Sequence, residues 1–583
     1  MKRAILILVA ASASPAFAQV DPLAPISQPS PVPPRPQPIL EPAPVLQPAP
    51  LPVPVRPVPR DWRGVFDAIR YQDWGGASAA IATLPDNPLK AVARAELFTA
   101  KNSPRVELGP ILSLLAEAPD LPHAEQLQRL AVARGAVETP PVIYGRQAIG
   151  LTSAPRRVRA RPVTGEPAAD ALMTALEPFV DANDPASAEA LLFAQGPMLS
   201  SEARAQAGQR VAWIYYVLGR DPDVRRIADQ WRSGAVGEWG AQSAWVSGLA
   251  SWRMGDCNAS QAAFRDAMRM GTEREFVAAA AYWGARSAQS CRRPREVQGL
   301  LLAAARSPES FYGLLARETL GMETKLSAPR RLERNSPVAR SNNVRRATEL
   351  VKIGEVALAE QMLRHQARIG APSEHGDLIA VAREFDLAGA QFWLAHNGQR
   401  GVRVEAADRY PAPRWAPDRG WRIDPALAFA HARQESDFRH AAVSPAGAVG
   451  LMQVRPGTAG DFARARGTAL GNLSDPRVNL EYGQSYIELV RRNPATQGQL
   501  LKVMAAYNAG PVPVSRWNYI NDKGDPLLWI ESLSYWETRY YVPTVLRNMW
   551  VYQGLAGAEQ SALRALAEHR WPAFPTTSTQ LAR

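Results

Sequence analysis

The stretch from Trp245 to Trp283 reads WVSGLASWRMGDCNASQAAFRDAMRMGTEREFVAAAAYW. Trp245, Leu249 and Trp252 recur at helical spacing and share one face, and Gly255-Asp256 ends that helix. Ala262, Ala263, Ala267 and Met268 line the next helix with Phe264 beside them; Gly271-Thr272 breaks it, and Phe276, Ala279, Ala280 and Trp283 begin a third. Alternating small and large residues let short helices pack closely, as in a helical solenoid. The Trp and Tyr residues here read as core rather than as ligand stackers. Cys257 and Cys291 each fall at a helix end, 34 positions apart, where neighbouring hairpin turns lie side by side. They are expected to form a disulfide, with two inert thiols as the alternative. None of the seven His stands near them, which argues against zinc.

The same patterning extends over residues 61–325, an α-helical superhelical domain with no strict repeat. Residues 326–402 read as a helical linker domain, opening with an irregular basic connector. Residues 403–559 form a third unit after the prolines at 411, 413 and 417, and 560–583 a C-terminal tail. No convincing period-2 run or Asn-Gly hairpin appears, so the fold class is all-α: an N-terminal solenoid or superhelix followed by a mainly α domain. At 583 residues, several cores are expected.

Residues 1–18 read as a secretory signal: Lys2 and Arg3, an apolar run from Ala4 to Ala13, and the small-x-small site Ala16-Phe17-Ala18. That run is about half of what spans a bilayer, no Cys near the cut suggests a lipid anchor, and no later segment reads as a membrane span. Removing Lys2 and Arg3 takes the formal charge from +12 to +10. A mildly basic exported chain suits an acidic polymer; without a Lys/Arg block, nucleic acid is not expected as a partner. Residues 19–60 form a proline-rich linker, with 16 of the 51 prolines between Pro22 and Pro59.

Asp424-Pro425 is a helix start, with Asp as N-cap and Pro in the first turn. The helix is expected over Ala426–Phe438, with Leu427, His431, Gln434, Glu435 and Phe438 on one apolar face. A Glu on a buried face is either ion-paired or chemical. Downstream lie a loop dense in small residues, Ser444 to Gly450, then Leu451-Met452-Gln453-Val454, then Ala506-Tyr507-Asn508 at a helix end, then Trp536 to Val542 opening another helix.

These pieces resemble the soluble lytic transglycosylases, which have a lysozyme-like catalytic domain. The motifs are Glu435-Ser436, Gly450 to Gln453, Ala506 to Asn508, and Tyr541-Val542 following Glu537-Thr538-Arg539. Phe311-Tyr312-Gly313 and Tyr282 to Arg286 resemble that family's helical superstructure. The linker and the tail after Ala558 are not covered.

The resemblance implies cleavage of the MurNAc–GlcNAc β-1,4 bond of peptidoglycan in the periplasm. Glu435 would be the catalytic acid and then base, as the muramic 6-hydroxyl closes on its own anomeric carbon to a 1,6-anhydro sugar. Ser436, Ser444, Met452, Gln453, Tyr507, Asn508 and Tyr541 are implied substrate-groove residues. Glu537 and Arg539 read equally as an ion pair or as substrate contacts. Apolar walls and the helix's negative end are expected to raise the Glu435 pKa by ~1–2 units. A hydrolytic muramidase on the same scaffold and a non-catalytic peptidoglycan-binding solenoid are the alternatives, and the helical domain also suits cell-wall protein partners. No cofactor or metal motif appears.

Overall fold

The computed structural model describes residues 57–333 and 335–575. The signal segment and nearly all of the proline-rich linker lie outside the described residues. So does the tail beyond residue 575. The regular structure of residues 59–575 is almost entirely helical. Among the described residues the strand pairing is confined to one antiparallel pair of two-residue strands, Ile149–Gly150 with Asn397–Gly398, and isolated bridges joining Val443, Val449 and Val454.

Local signals explain many helix starts. Asp184, Asp424, Asp475 and Asp525 each precede a proline, and each side chain accepts a backbone N–H of the helix it opens. Such a cap contributes about 1 kcal/mol. The hairpins read between Trp245 and Trp283 form as expected, as helices Glu238–Arg253, Cys257–Met270 and Arg274–Ser290. Trp245, Phe264 and Trp283 are buried against one another, with ring centroids 5.2 and 5.8 Å apart. Gly248 lies under the Phe264 ring, where a Cβ would come within 2.8 Å. The aromatic residues of this region are therefore core. Cys257 and Cys291 are disulfide-bonded.

Two hydrophobic clusters partition the chain in an order that helical periodicity does not reveal. One joins buried residues of 65–131 to those of 338–394. The other joins 169–316 to 388–566. The segment read as a helical linker thus covers the first five helices. Asn343 donates to the Asp120 carbonyl at 2.8 Å, and Arg346 pairs with the Asp120 carboxylate at 2.8 Å. In the segment read as a tail, helix Ser561–Ala567 places Ala562, Leu563 and Leu566 in the second cluster.

Between helices Ala124–Ala133 and Pro167–Asp181, residues 134–166 run as a strap without helix. Arg157 of this strap lies over Trp245, Phe276 and Tyr540, 4.7, 4.6 and 5.0 Å from the ring centroids. The superhelix also grips the C-terminal helices directly. Arg286 pairs with Asp525 at 2.7 Å, Tyr312 donates to Glu531 at 2.7 Å, and Phe311 stacks on Trp550 at 5.1 Å.

Candidate active site

Helix Pro425–Ser436 is buried on nearly every side: each residue from Pro425 to Arg433 is buried. It stops earlier than its periodicity suggests. Asp437 and Phe438 take left-handed φ of 52° and 60°, and this turn carries Phe438 into the core. Gln434 is exposed and does not share the apolar face. Glu435 therefore stands in the last turn, at the helix's negative end and at the edge of the core.

Burial pushes the Glu435 carboxyl up to about 7; a hydrogen bond from Tyr541 opposes this, and the nearby charge of Glu537 adds to it. No cation stands among the groups that shift it. The upward direction agrees with the expectation from the apolar walls.

Tyr541, on helix Trp536–Leu555, donates to Glu435 Oε1 at 2.5 Å. Its Oη also lies 2.7 Å from Nδ1 of His431, one turn before Glu435. His431 is fully buried, and its ring sits 4.4 Å from that of Tyr507. Tyr507, on helix Leu500–Ala509, donates to the Met452 carbonyl at 2.6 Å. The Met452 N–H in turn donates to Asn479 Oδ1 at 2.8 Å. Glu435, Tyr541, Tyr507 and Met452 are thus brought together by a continuous set of contacts.

The loop before Met452 is tied down rather than loose. Gly450 has φ of +81°, and a Cβ there would lie 2.2 Å from Asn479 Nδ2 and 2.4 Å from the Leu473 carbonyl. The buried Asn479 donates to the Val449 and Leu473 carbonyls, both at 2.8 Å. Sequence reading passed over Asn479; its one local signal is an amide in the core-facing stretch Asn479 to Tyr482. At Gly450 the close approach that requires glycine is to the protein itself.

The remaining expected site residues divide. Gln453 is half-buried, with Nε2 donating to the Gly450 carbonyl at 2.8 Å. Asn508 donates to Glu537 at 3.0 Å and accepts from Thr538 at 2.6 Å, which ties its helix end to the start of the Tyr541 helix. Ser436 donates to the Ala432 carbonyl within its own helix. Ser444 accepts the Ala448 N–H within its own loop. Both hydroxyls serve local structure. Glu537 and Arg539 do not form the ion pair that was one reading of them. Arg539 is buried with its guanidinium 3.7 Å from the Trp213 ring centroid, whereas Glu537 is exposed beside Asn508. Two positions apart within one turn, they project from opposite sides of the helix toward different neighbours.

Among the described residues no cluster of three His, Cys, Asp or Glu is arranged to hold a metal ion, and no helix is long and apolar enough to cross a membrane.

Residues 416–530 match the family described as Transglycosylase SLT domain. The chain is 29% identical to the soluble lytic murein transglycosylase of Salmonella typhimurium over 303 residues, 48% of this chain and 44% of that protein. It is 36% identical to the soluble lytic murein transglycosylase of Escherichia coli K12 over 152 residues, 25% of this chain and 23% of that one. The chain thus aligns with less than half the length of these relatives. Its fold is similar to the crystal structure of the 70 kDa soluble lytic transglycosylase of Escherichia coli. The TM-score is 0.53 at 18% identity, over 87% of this chain and 99% of that one. A complex of a 70 kDa soluble lytic transglycosylase with bulgecin A gives 0.51 at 19% identity, over 85% and 86%.

Proposed function

We propose, from the premise that residues 416–530 belong to the transglycosylase SLT domain family, that this chain is a peptidoglycan lytic transglycosylase with Glu435 as its single acid and base. The observation that carries the reading is the Glu435 carboxyl: pushed up to about 7 by burial, unpaired with any cation, and oriented by Tyr541. Half protonated near neutral pH, it is matched to both giving and taking a proton.

The steps balance without water. Glu435 gives its proton to the glycosidic oxygen as the bond from the muramic anomeric carbon breaks. The 6-hydroxyl oxygen of the same sugar bonds to that carbon and yields its proton to Glu435, which regains its starting state. Tyr541 donates to the carboxylate while it is charged. Tyr507 holds the Met452 segment against the acid, so Met452 and Gln453 form the wall beside the scissile bond. Asn508 fixes the Tyr541 helix through Thr538 and Glu537. Ser436 and Ser444 act through the segments they brace.

The export signal expected over residues 1–18 supports a periplasmic activity, with glycan strands as the partner and with the helical superstructure also open to cell-wall proteins. Hydrolysis is the second reading, favoured by one observation: Glu537 is a second carboxylate close enough to raise Glu435. Mass spectrometry of products from purified peptidoglycan separates the two, since anhydro products are one water lighter. Anhydro products that vanish in Glu435→Gln are expected. Hydrolytic products, or full-rate release by Glu435→Gln, would overturn the proposal.

A further inference from the structure

A short hydrogen-bond chain, Glu435 Oε1 to Tyr541 Oη to His431 Nδ1, has lengths of 2.5 and 2.7 Å. The middle oxygen owns one hydrogen and has two neighbours, so its orientation depends on the imidazole. His431 is sealed from solvent, and its other nitrogen, Nε2, is buried with no partner. Burial pushes His431 down to about 3, so the ring is neutral at any working pH and carries one N–H.

That N–H belongs on Nδ1. An N–H on Nε2 would be a sealed donor with nothing to bond, and orphaned buried N–H groups are rarer than under-satisfied acceptors. With the hydrogen on Nδ1, His431 donates to Tyr541 Oη, and the only hydrogen of Tyr541 must point at Glu435 Oε1. Oε1 is then an acceptor in both protonation states. The acid proton has to reside on Oε2, the carboxyl oxygen that has no hydrogen-bond partner among the described residues.

We propose that His431 is a positioning residue that selects which oxygen of Glu435 carries the transferable proton, by donating from Nδ1 to Tyr541 and so reserving Oε2 for the substrate. This rests on the reading of Glu435 as the acid and base. Without His431, Tyr541 is free to rotate and accept from Oε1, which parks the proton on the wrong oxygen and stabilises the protonated form. The other titratable groups facing this chain are Tyr507 from helix Leu500–Ala509, Tyr486 packed on Tyr507, and Glu537 beside Glu435. Burial raises both tyrosines, so neither ionises in the working range.

The tautomer is measurable in the intact wild-type protein by long-range ¹⁵N–¹H NMR of labelled histidines. A neutral Nδ1–H ring at 431 between pH 5 and 8 is expected, and an Nε2–H ring would overturn the inference. In kinetics, His431→Leu is expected to lower kcat about tenfold and to move the falling alkaline limb of kcat/KM up by about half a pH unit. His431→Asn, whose amide N–H sits where Nδ1–H does, should leave the limb in place and kcat within about threefold of wild type. A limb unmoved in His431→Leu, or an Asn variant as damaged as the Leu variant, would reduce His431 to packing. The two failures are separable: loss of the Glu435 reading appears as full-rate product release by Glu435→Gln, and loss of this one in the tautomer.

Discussion

Two glutamates in different regions of this molecule are pushed up to about 7 by burial: Glu435 at the rim of the C-terminal core and Glu275 inside the superhelix. Their environments differ in what each oxygen does. Both oxygens of Glu275 accept backbone N–H groups opening helix Phe311–Thr319, from Phe311 at 2.9 Å and Tyr312 at 3.3 Å. Glu435 has one oxygen engaged by a tyrosine and the other without a partner among the described residues. A raised pKa therefore does not by itself mark a catalytic acid. Glu275 is a helix cap whose oxygens are consumed by structure, whereas Glu435 keeps one oxygen for a substrate.

The sharpest way to break this comparison is the same substitution at both sites. Glu435→Gln is expected to lower product release by about 10³-fold while leaving the fold intact. Glu275→Gln should keep kcat within about threefold once folded, but turns an NH₂ toward one of the two N–H donors and should cost about 1–3 kcal/mol in urea unfolding. Equal activity losses would mean that the two carboxyls were not distinguished correctly. Next in size is the superhelix's covalent tie: replacing Cys257 and Cys291 with Ser should cost about 3 kcal/mol of stability without moving the pH profile of cleavage. A shifted profile would show that the superhelix tunes the acid. Tyr541→Phe is expected to lower kcat about tenfold and to move the alkaline limb upward, because the lost hydrogen bond favours the charged form. The smallest effect concerns stability. The folded pKa of Glu435 lies above its unfolded value, so the wild type loses stability as pH rises from about 4.5 to about 7 and holds the lower level above. Glu435→Gln removes that penalty and should be more stable than wild type to urea unfolding at pH 8, by up to about 2 kcal/mol, but not at pH 4.5.

Much of this was legible in the chain because it is local. Asp424-Pro425 announces its helix through capping chemistry, and Glu435 stands out as a carboxyl among apolar neighbours. The small residues at 444–450 mark a tight loop, although the reason Gly450 is glycine lies in Asn479, 29 positions away. What could not be read is contact between distant segments. Periodicity shows that helices Trp62–Arg70 and Asn342–Lys352 each have an apolar face. It does not show that the two regions share a core. His431 was placed on the buried face with Glu435, but its bond to Tyr541 joins positions 110 apart. Arg157 looks like a loop cation in sequence and in the fold lies among Trp245, Phe276 and Tyr540. The serines at 436 and 444 were assigned to the groove by resemblance, and the sequence did not show that each hydroxyl also has a local backbone partner.

The most direct test is a titration of the Glu435 carboxyl itself, by ¹³C-carboxyl NMR of the wild type minus Glu435→Gln. A midpoint near 7 is the result expected for an acid held neutral by burial. A midpoint near 4 would place a charged, solvated carboxylate at this position and contradict the account.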